Sequence, residues 1–312
     1  VYLAHWQLER PPFGQACEQA DYYPSQAHQS ALLKLRYGLE HRGGAALLCG
    51  PSGTGKTLLV RLLGDQLPSE IRPRVHLVFP QLAPTELMGY LADELHRGPL
   101  EASHSGEPSS EALQGPGDAK QAAPLKEVTS KVATRPFAPS PGKPHTMRAA
   151  LQRIEVALAR ARDDQRRVLV IIDEAHLIQQ VEPWETLRLL LNLGDADGRD
   201  LCLLLVGQPG LLSRIQRMPA WEERLAVKCL LRPLAMEETM SYVQRRLVAA
   251  GASGEPFTTG ALETLHELSG GVPRRINRLA DLCLLLGYAE ELAQLGPAHV
   301  EAAAEDLALT AP

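Results

Sequence analysis

Aromatic side chains are scarce in this sequence: four Phe, three Trp and seven Tyr make up 4% of 312 residues. A core must therefore be built mainly from Leu, Ala, Val and Ile. Neither sign of charge dominates. The 32 Lys and Arg face 37 Asp and Glu, a formal net charge of -5 with a pI near 6.1, so no global field draws the chain to nucleic acid. Cysteine is limited to positions 17, 49, 202, 229 and 283. An odd number at irregular spacing argues against a disulfide framework and a zinc site, and for a reducing compartment. Cys49 and Cys202 lie inside apolar runs, where a free thiol acts as a small hydrophobe. Long hydrophobic runs are missing too, since no stretch approaches the roughly 18 residues that span a bilayer. The opening residues lack the basic-then-apolar pattern of a signal peptide. A sequence that opens on Val1 is expected to lack at least one residue, and the end at 312 is equally open to being a cut.

What is present suits a globular chain. The 45% hydrophobic and 22% charged composition can bury a core of one large or two modest domains. Apolar spacing predicts a helix over 25–39, a strand over 45–49, a helix over 57–67, a strand over 75–79 and a helix over 84–95. From 98 to 146 the sequence turns to Pro, Gly, Ser and Ala without periodicity, and is expected to be a disordered insertion, with Phe137 the one candidate docking element. Order resumes with a helix over 147–163, a strand over 168–172, a helix around 184–193 and a strand over 201–206. Strands that are apolar throughout and alternate with helices predict a parallel sheet covered on both faces. After Pro233, helices are expected over 237–250, 259–268, 274–288 and 298–307, separated by Gly- and Pro-rich turns. The fold class is therefore α/β, a parallel sheet sandwiched by helices, with an all-helical C-terminal lid. Residues 1–40 are expected to pack on the α/β core, 41–233 to form that core, and 234–312 the lid.

The segment Gly50-Pro51-Ser52-Gly53-Thr54-Gly55-Lys56-Thr57 is a full Walker A match, placed after an apolar strand and before a helix that continues through Leu58. Glycines let backbone N–H groups wrap phosphates, and the helix N-terminus adds its positive end. Lys56 is expected to reach the β and γ phosphates of ATP, and Thr57 to ligate Mg²⁺. A second signal, Val168-Leu-Val-Ile-Ile-Asp173-Glu174-Ala-His176, ends a buried strand in two acids. Asp173 is expected to hold the metal and Glu174 to activate water. The Asp-Glu-Ala-His string also occurs in nucleic-acid helicases, but the second P-loop-like domain they need has no counterpart here. His176 is therefore expected to be a polar residue behind the site. Gln208, at the tip of the next strand, is a candidate to orient the attacking water, although a plain Gly-Gln-Pro turn reads equally well. Arg224 precedes the last strand, where one subunit can offer an arginine to its neighbour's γ-phosphate. Arg274 opens a lid helix, from which it can reach its own. Lys228 and Arg275 are the alternatives to these two.

These residues resemble one group, the AAA+ ATPases of bacterial general secretion of the ExeA/GspA type. The resemblance runs through His5-Trp6-Gln-Leu8-Glu-Arg-Pro-Pro12-Phe13, Ser25-Gln-Ala-His28-Gln-Ser-Ala31-Leu32, Leu35-Arg-Tyr37-Gly38, Leu187-Arg-Leu-Leu-Leu-Asn192, Leu205-Val-Gly-Gln-Pro209 and Gly271-Val-Pro-Arg274-Arg-Ile-Asn277. It covers nearly everything outside 98–146. It implies an ATP-driven, Mg²⁺-dependent homo-oligomer such as a hexameric ring, cytoplasmic or at the inner face of the inner membrane, serving a protein client of secretion or envelope assembly. Membrane contact would come through a partner or a further segment. Similarity to TniB and MuB types adds a DNA-associated regulator of transposition as an alternative, and a non-enzymatic, nucleotide-gated scaffold is a third. The sequence departs from the family at His176, where Gln is usual, at Gly210, where an acid is common, and at Phe79, where Asn commonly ends the strand.

Overall fold

The computed structural model describes residues 1–14, 22–78, 80–97, 146–193 and 200–309. The expected insertion, apart from Thr146, lies outside them, as do Cys17, Phe79 and Phe137. Among the described residues five strands form one sheet: β1 (Gly44–Cys49), β2 (Ile71–Leu77), β3 (Arg167–Ile172), β4 (Leu201–Gly207) and β5 (Leu225–Leu230). Their order is β2-β3-β4-β1-β5, and every pairing is parallel. Successive residues of a strand point to opposite faces, and the two faces have separate cores. Ala45, Leu47 and Cys49 of β1 pack with α3 (Pro84–His96), α4 (Met147–Asp163) and α5 (Val181–Leu190). Ala46 and Leu48 pack with α1 (Gln26–His41) and α2 (Lys56–Gln66). With both faces dry, the central strands read as unbroken apolar runs, and the expected doubly covered sheet is what forms.

Two elements depart from expectation. Strand β2 starts at Ile71 rather than Val75, because its first residues include Arg72, Pro73 and Arg74, which carry no apolar signal. The Gln-Pro-Gly segment after β4 is not a simple turn. Pro209 takes the first position of α6 (Pro209–Gln216), where its missing N–H costs nothing. A short α7 (Pro219–Glu222) then leads into β5.

The C-terminal helices α8 (Met236–Ala249), α9 (Thr259–Ser269), α10 (Pro273–Ala289) and α11 (Pro297–Leu309) surround a core of their own. Trp6, Leu8 and Phe13 belong to it, beside Val243, Leu265, Ile276 and Leu284. The Trp6 indole donates to the Leu284 carbonyl at 2.9 Å, and the Glu9 N–H to the Ala250 carbonyl at 2.8 Å. The first 40 residues therefore divide between two partners. The opening strap lies on the lid helices, since three large apolar side chains without strand or helix period are covered there, while α1 lies against the sheet. Among the described residues, no helix is long and apolar enough to cross a membrane.

Candidate functional site

The loop from Gly50 to Gly55 is clamped at its start. The Gly50 N–H donates to the Gly207 carbonyl at 3.1 Å, and the Cys49 carbonyl accepts from the Leu231 N–H at 2.7 Å. Gly53 and Gly55 adopt φ of 83° and 91°, the left-handed region that only glycine enters freely. Gly55 is the N-cap of α2 and offers no capping side chain, so the N–H groups of the first turn are left for a ligand. Thr54 braces the loop from within, its hydroxyl donating to the Pro51 carbonyl at 2.9 Å. Ser52 is exposed at the loop's tip, and Leu58 is partly buried in the helix behind.

Lys56 is buried and folds back across the loop, donating to the carbonyls of Gly50 at 2.9 Å and Pro51 at 3.1 Å. Burial lowers its pKa, against the opposing pull of Glu174 and Asp173. Thr57 meets Asp173 from the neighbouring strand end, hydroxyl to carboxylate at 3.3 Å. Asp173 is 2% exposed. Its other oxygen accepts the Glu174 N–H at 2.9 Å, and the His76 imidazole stands 3.6 Å away. Burial pushes the Asp173 carboxyl up, but His76, the Glu174 N–H and the Thr57 hydroxyl outweigh it and hold the pKa below the ordinary value.

Glu174 has φ 50° and ψ 33°, an uncommon backbone for a residue with a side chain and one that concentrates at functional sites. Its carboxylate lies 3.2 Å from His176 Nδ1. The His176 ring sits against Gly207, where a Cβ would come within 3.4 Å of Nδ1. His176 thus bridges the ends of β3 and β4. Gln208, the exposed N-cap of α6, follows Gly207 on the strand between β3 and β1.

Of the two arginines singled out in the sequence, one reaches the loop and one does not. The Arg274 N–H donates to the Gly53 carbonyl at 3.2 Å, and a Cβ on Gly53 would stand 2.8 Å from Arg274 Cβ. The turn that presents it is held by the Leu234 N–H on the Gly271 carbonyl at 2.8 Å. Arg224 lies at the far end of β1, its carbonyl accepting from the Ala45 N–H at 3.1 Å, about 15–20 Å of strand away from the loop. Of the alternatives, Lys228 is paired with Glu222 at 2.5 Å, and Arg275 neighbours Arg274 on α10.

Two residues at the loop went unassigned in the sequence. His28 lies under it, with Nε2 2.9 Å from the Thr54 carbonyl, and His76 faces Asp173. Only the Ser25-to-Leu32 motif hinted at the first. Nothing in the sequence marked the second.

A family model described as an AAA domain matches residues 39–215, more than half of the chain. The General secretion pathway protein A of Aeromonas hydrophila is 32% identical over 292 residues, 93% of this chain and 45% of that protein. This chain thus spans less than half the length of that curated relative, and the resemblance read from the motifs holds across nearly all of its own length. The solved structure of the Aeropyrum pernix ORC2 protein (ADPNP-ADP complexes) superposes with TM-score 0.60 at 15% identity, covering 96% of this chain and 72% of that one. The Walker-type ATPase PABY2304 of Pyrococcus abyssi gives 0.60 at 17% identity, covering 95% and 76%. The RuvB Holliday junction branch migration motor of Thermotoga maritima gives 0.53 at 15%, covering 91% and 70%. At these identities the structures speak for the fold alone. The family model begins at the end of α1 and runs into α6, a span that contains the loop and both acids, and on that match the chain belongs to the AAA domain family.

Proposed function

We propose that this chain binds Mg-ATP at the loop between β1 and α2 and hydrolyses it to ADP and phosphate. The observation that carries the reading is the convergence of Lys56, the Thr57–Asp173 pair and Arg274 on one loop from three distant parts of the sequence. The Lys56 ammonium now rests on two loop carbonyls, and the β and γ phosphates of a bound nucleotide would be stronger acceptors for it. Thr57 and Asp173 present hard oxygen donors 3.3 Å apart. Among the described residues no group of three or more His, Cys, Asp or Glu is arranged so that it could hold a metal ion by itself. A single carboxylate and a hydroxyl fit a hydrated Mg²⁺ completed by phosphate oxygens better than an all-protein cage. When bound, the ion neutralises charge on the phosphates.

Glu174 is the residue that accepts a proton from the attacking water, and Gln208 helps to orient that water. Arg274 stabilises the γ-phosphate of its own subunit. Arg224 stands too far from its own loop for that task and is suited to a neighbour's site, so turnover requires assembly. A finger supplied in this way is worth a factor of about 10³ or more. The relative from Aeromonas hydrophila is named for general secretion, and we place this chain with it: an oligomeric motor or switch on the cytoplasmic side, acting on a protein client of secretion or envelope assembly.

The test is steady-state ATP hydrolysis over a range of protein concentrations, with and without DNA, alongside Glu174→Gln and Lys56→Ala. The expected result is turnover per subunit that rises with concentration, ignores DNA, and disappears in both variants. Constant turnover per subunit would refute the shared site. Stimulation by DNA would move the chain to the transposition-regulator class, and ATP binding without turnover would leave only the scaffold.

A further inference from the structure

We propose that His28 is a positioning residue for the phosphate loop, and that through it the seating of the lid on α1 sets the loop's geometry. The inference rests on the nucleotide reading above and deepens it. His28 is 5% exposed and Ser25, the N-cap of α1, is 2% exposed. The Thr54 carbonyl can only accept, so the imidazole Nε2 that lies 2.9 Å from it carries the proton. Nδ1 is then the acceptor and receives the Ser25 hydroxyl at 2.6 Å. The same hydroxyl oxygen caps α1 by accepting the His28 N–H at 3.3 Å. Burial lowers the imidazole's proton affinity, in keeping with this neutral form.

What the bond to Thr54 accomplishes follows from peptide geometry. In a planar trans peptide, the carbonyl and the next N–H point in opposite directions. Holding the Thr54 carbonyl outward, toward α1, therefore aims the Gly55 N–H inward, where successive N–H groups form an anion cradle. Gly55 is also the residue that makes room for the ring. A Cβ there would come within 3.1 Å of His28 Nε2. An apolar residue at 28 would leave the Thr54 carbonyl without this partner and the peptide free to turn.

The far end of the same bonded chain lies on the lid. Glu238, in the first turn of α8, accepts the Gln26 N–H at 3.0 Å with one oxygen and the Ala235 N–H at 3.1 Å with the other. One carboxylate thus serves the N-termini of α1 and α8 together. A lid displaced from this position withdraws the Glu238 acceptor from α1, two residues from His28. The path runs Glu238, Gln26, Ser25, His28, Thr54 and Gly55, and it is separate from the contact between Arg274 and Gly53.

The experiment is equilibrium binding of ADP to the full chain, for wild type, Lys56→Ala, His28→Ala, His28→Gln, Glu238→Ala and the double variant His28→Ala/Glu238→Ala. A glutamine amide can place an N–H near the position of Nε2 and so keep the Thr54 bond. Loss of that bond is expected to weaken ADP binding about tenfold in His28→Ala, with His28→Gln recovering to within about threefold of wild type. Glu238→Ala is expected to weaken binding by less, and the double variant to bind no more weakly than His28→Ala alone. Thermal unfolding without nucleotide is measured in parallel, because a merely structural role lowers stability without restoring affinity in the glutamine variant. The proposal is overturned if His28→Gln binds as poorly as His28→Ala, or if the effects of the two alanine substitutions multiply. Wild type that binds ADP no better than Lys56→Ala would instead overturn the nucleotide reading itself.

Discussion

Gly53→Ala adds one carbon at a point where two constraints meet. The first is backbone: at φ 83° an alanine carries a left-handed penalty of about 1–2 kcal/mol. The second is space. The new Cβ would lie 2.8 Å from Arg274 Cβ and 3.1 Å from Val272 Cγ1, against an optimum of about 3.5–4.0 Å between carbons. Arg274 Cβ is fixed by its helix, so the first turn of α10 must retreat, at an overpacking cost of about 1–3 kcal/mol. The expected total is a loss of about 3 kcal/mol, measured by urea unfolding. Arg274→Gly removes the nearer obstacle and leaves the backbone term untouched. A double-mutant cycle should therefore show a coupling of about 1–2 kcal/mol between the two positions. A loss below about 0.5 kcal/mol in the single variant, or no coupling in the cycle, would refute the close approach of lid to loop.

Three further outcomes are expected. The His28 imidazole, faced by Glu238 and Tyr22, has its pKa lowered by burial, so the unfolded chain binds its proton first. Stability is full above about pH 6.5 and falls below it, by at most about 1.4 kcal/mol per pH unit from this group; urea midpoints at pH 7.5 and 5.5 should differ less in His28→Gln. Trp6→Ala removes a buried ring and its bond to Leu284, at a cost of about 3–5 kcal/mol. Limited proteolysis followed by mass spectrometry should then find cuts in α8–α11 before cuts in the sheet. Cys49, Cys202 and Cys229 have thiols pushed by burial to about 11 and Cys283 to about 12. In a Cys17→Ser background none should react with a thiol reagent at pH 8 until the chain is unfolded, and a native titre of one or more would contradict their burial.

The sheet was legible because its physics is local. In Val168–Ile172 and Leu201–Val206 both faces are buried, so every residue is apolar and length alone separates strand from helix. Strand β5 is weaker in sequence because it is an edge, with Lys228 and Leu230 exposed. The start of β2 and helix α6 were hidden by prolines whose meaning depends on position: Pro73 lies in a strand and Pro209 begins a helix. At the site, Lys56, Thr57 and Asp173 could be named because strand, loop and helix fix their spacing. His76 could not, since a lone histidine in a strand looks the same whichever way it faces. The strap around Trp6 escaped for another reason. It has no period of its own, and its partners lie more than two hundred residues away.

The lid core closes over Trp6, Leu8 and Phe13, while α1 and the described elements as far as β5 belong to the sheet. Among the described residues the polypeptide therefore crosses between lid and sheet twice, once between Tyr23, whose ring meets Tyr242 of the lid, and Gln26, and again between Leu231 and Leu234. With the bonds of Glu238 to α1 and Arg274 to the loop released, a body held by one crossing could swing in any direction, but one held by two could turn only about the line that joins them. Cutting the first crossing while leaving the strap in place would turn a door back into a pendulum.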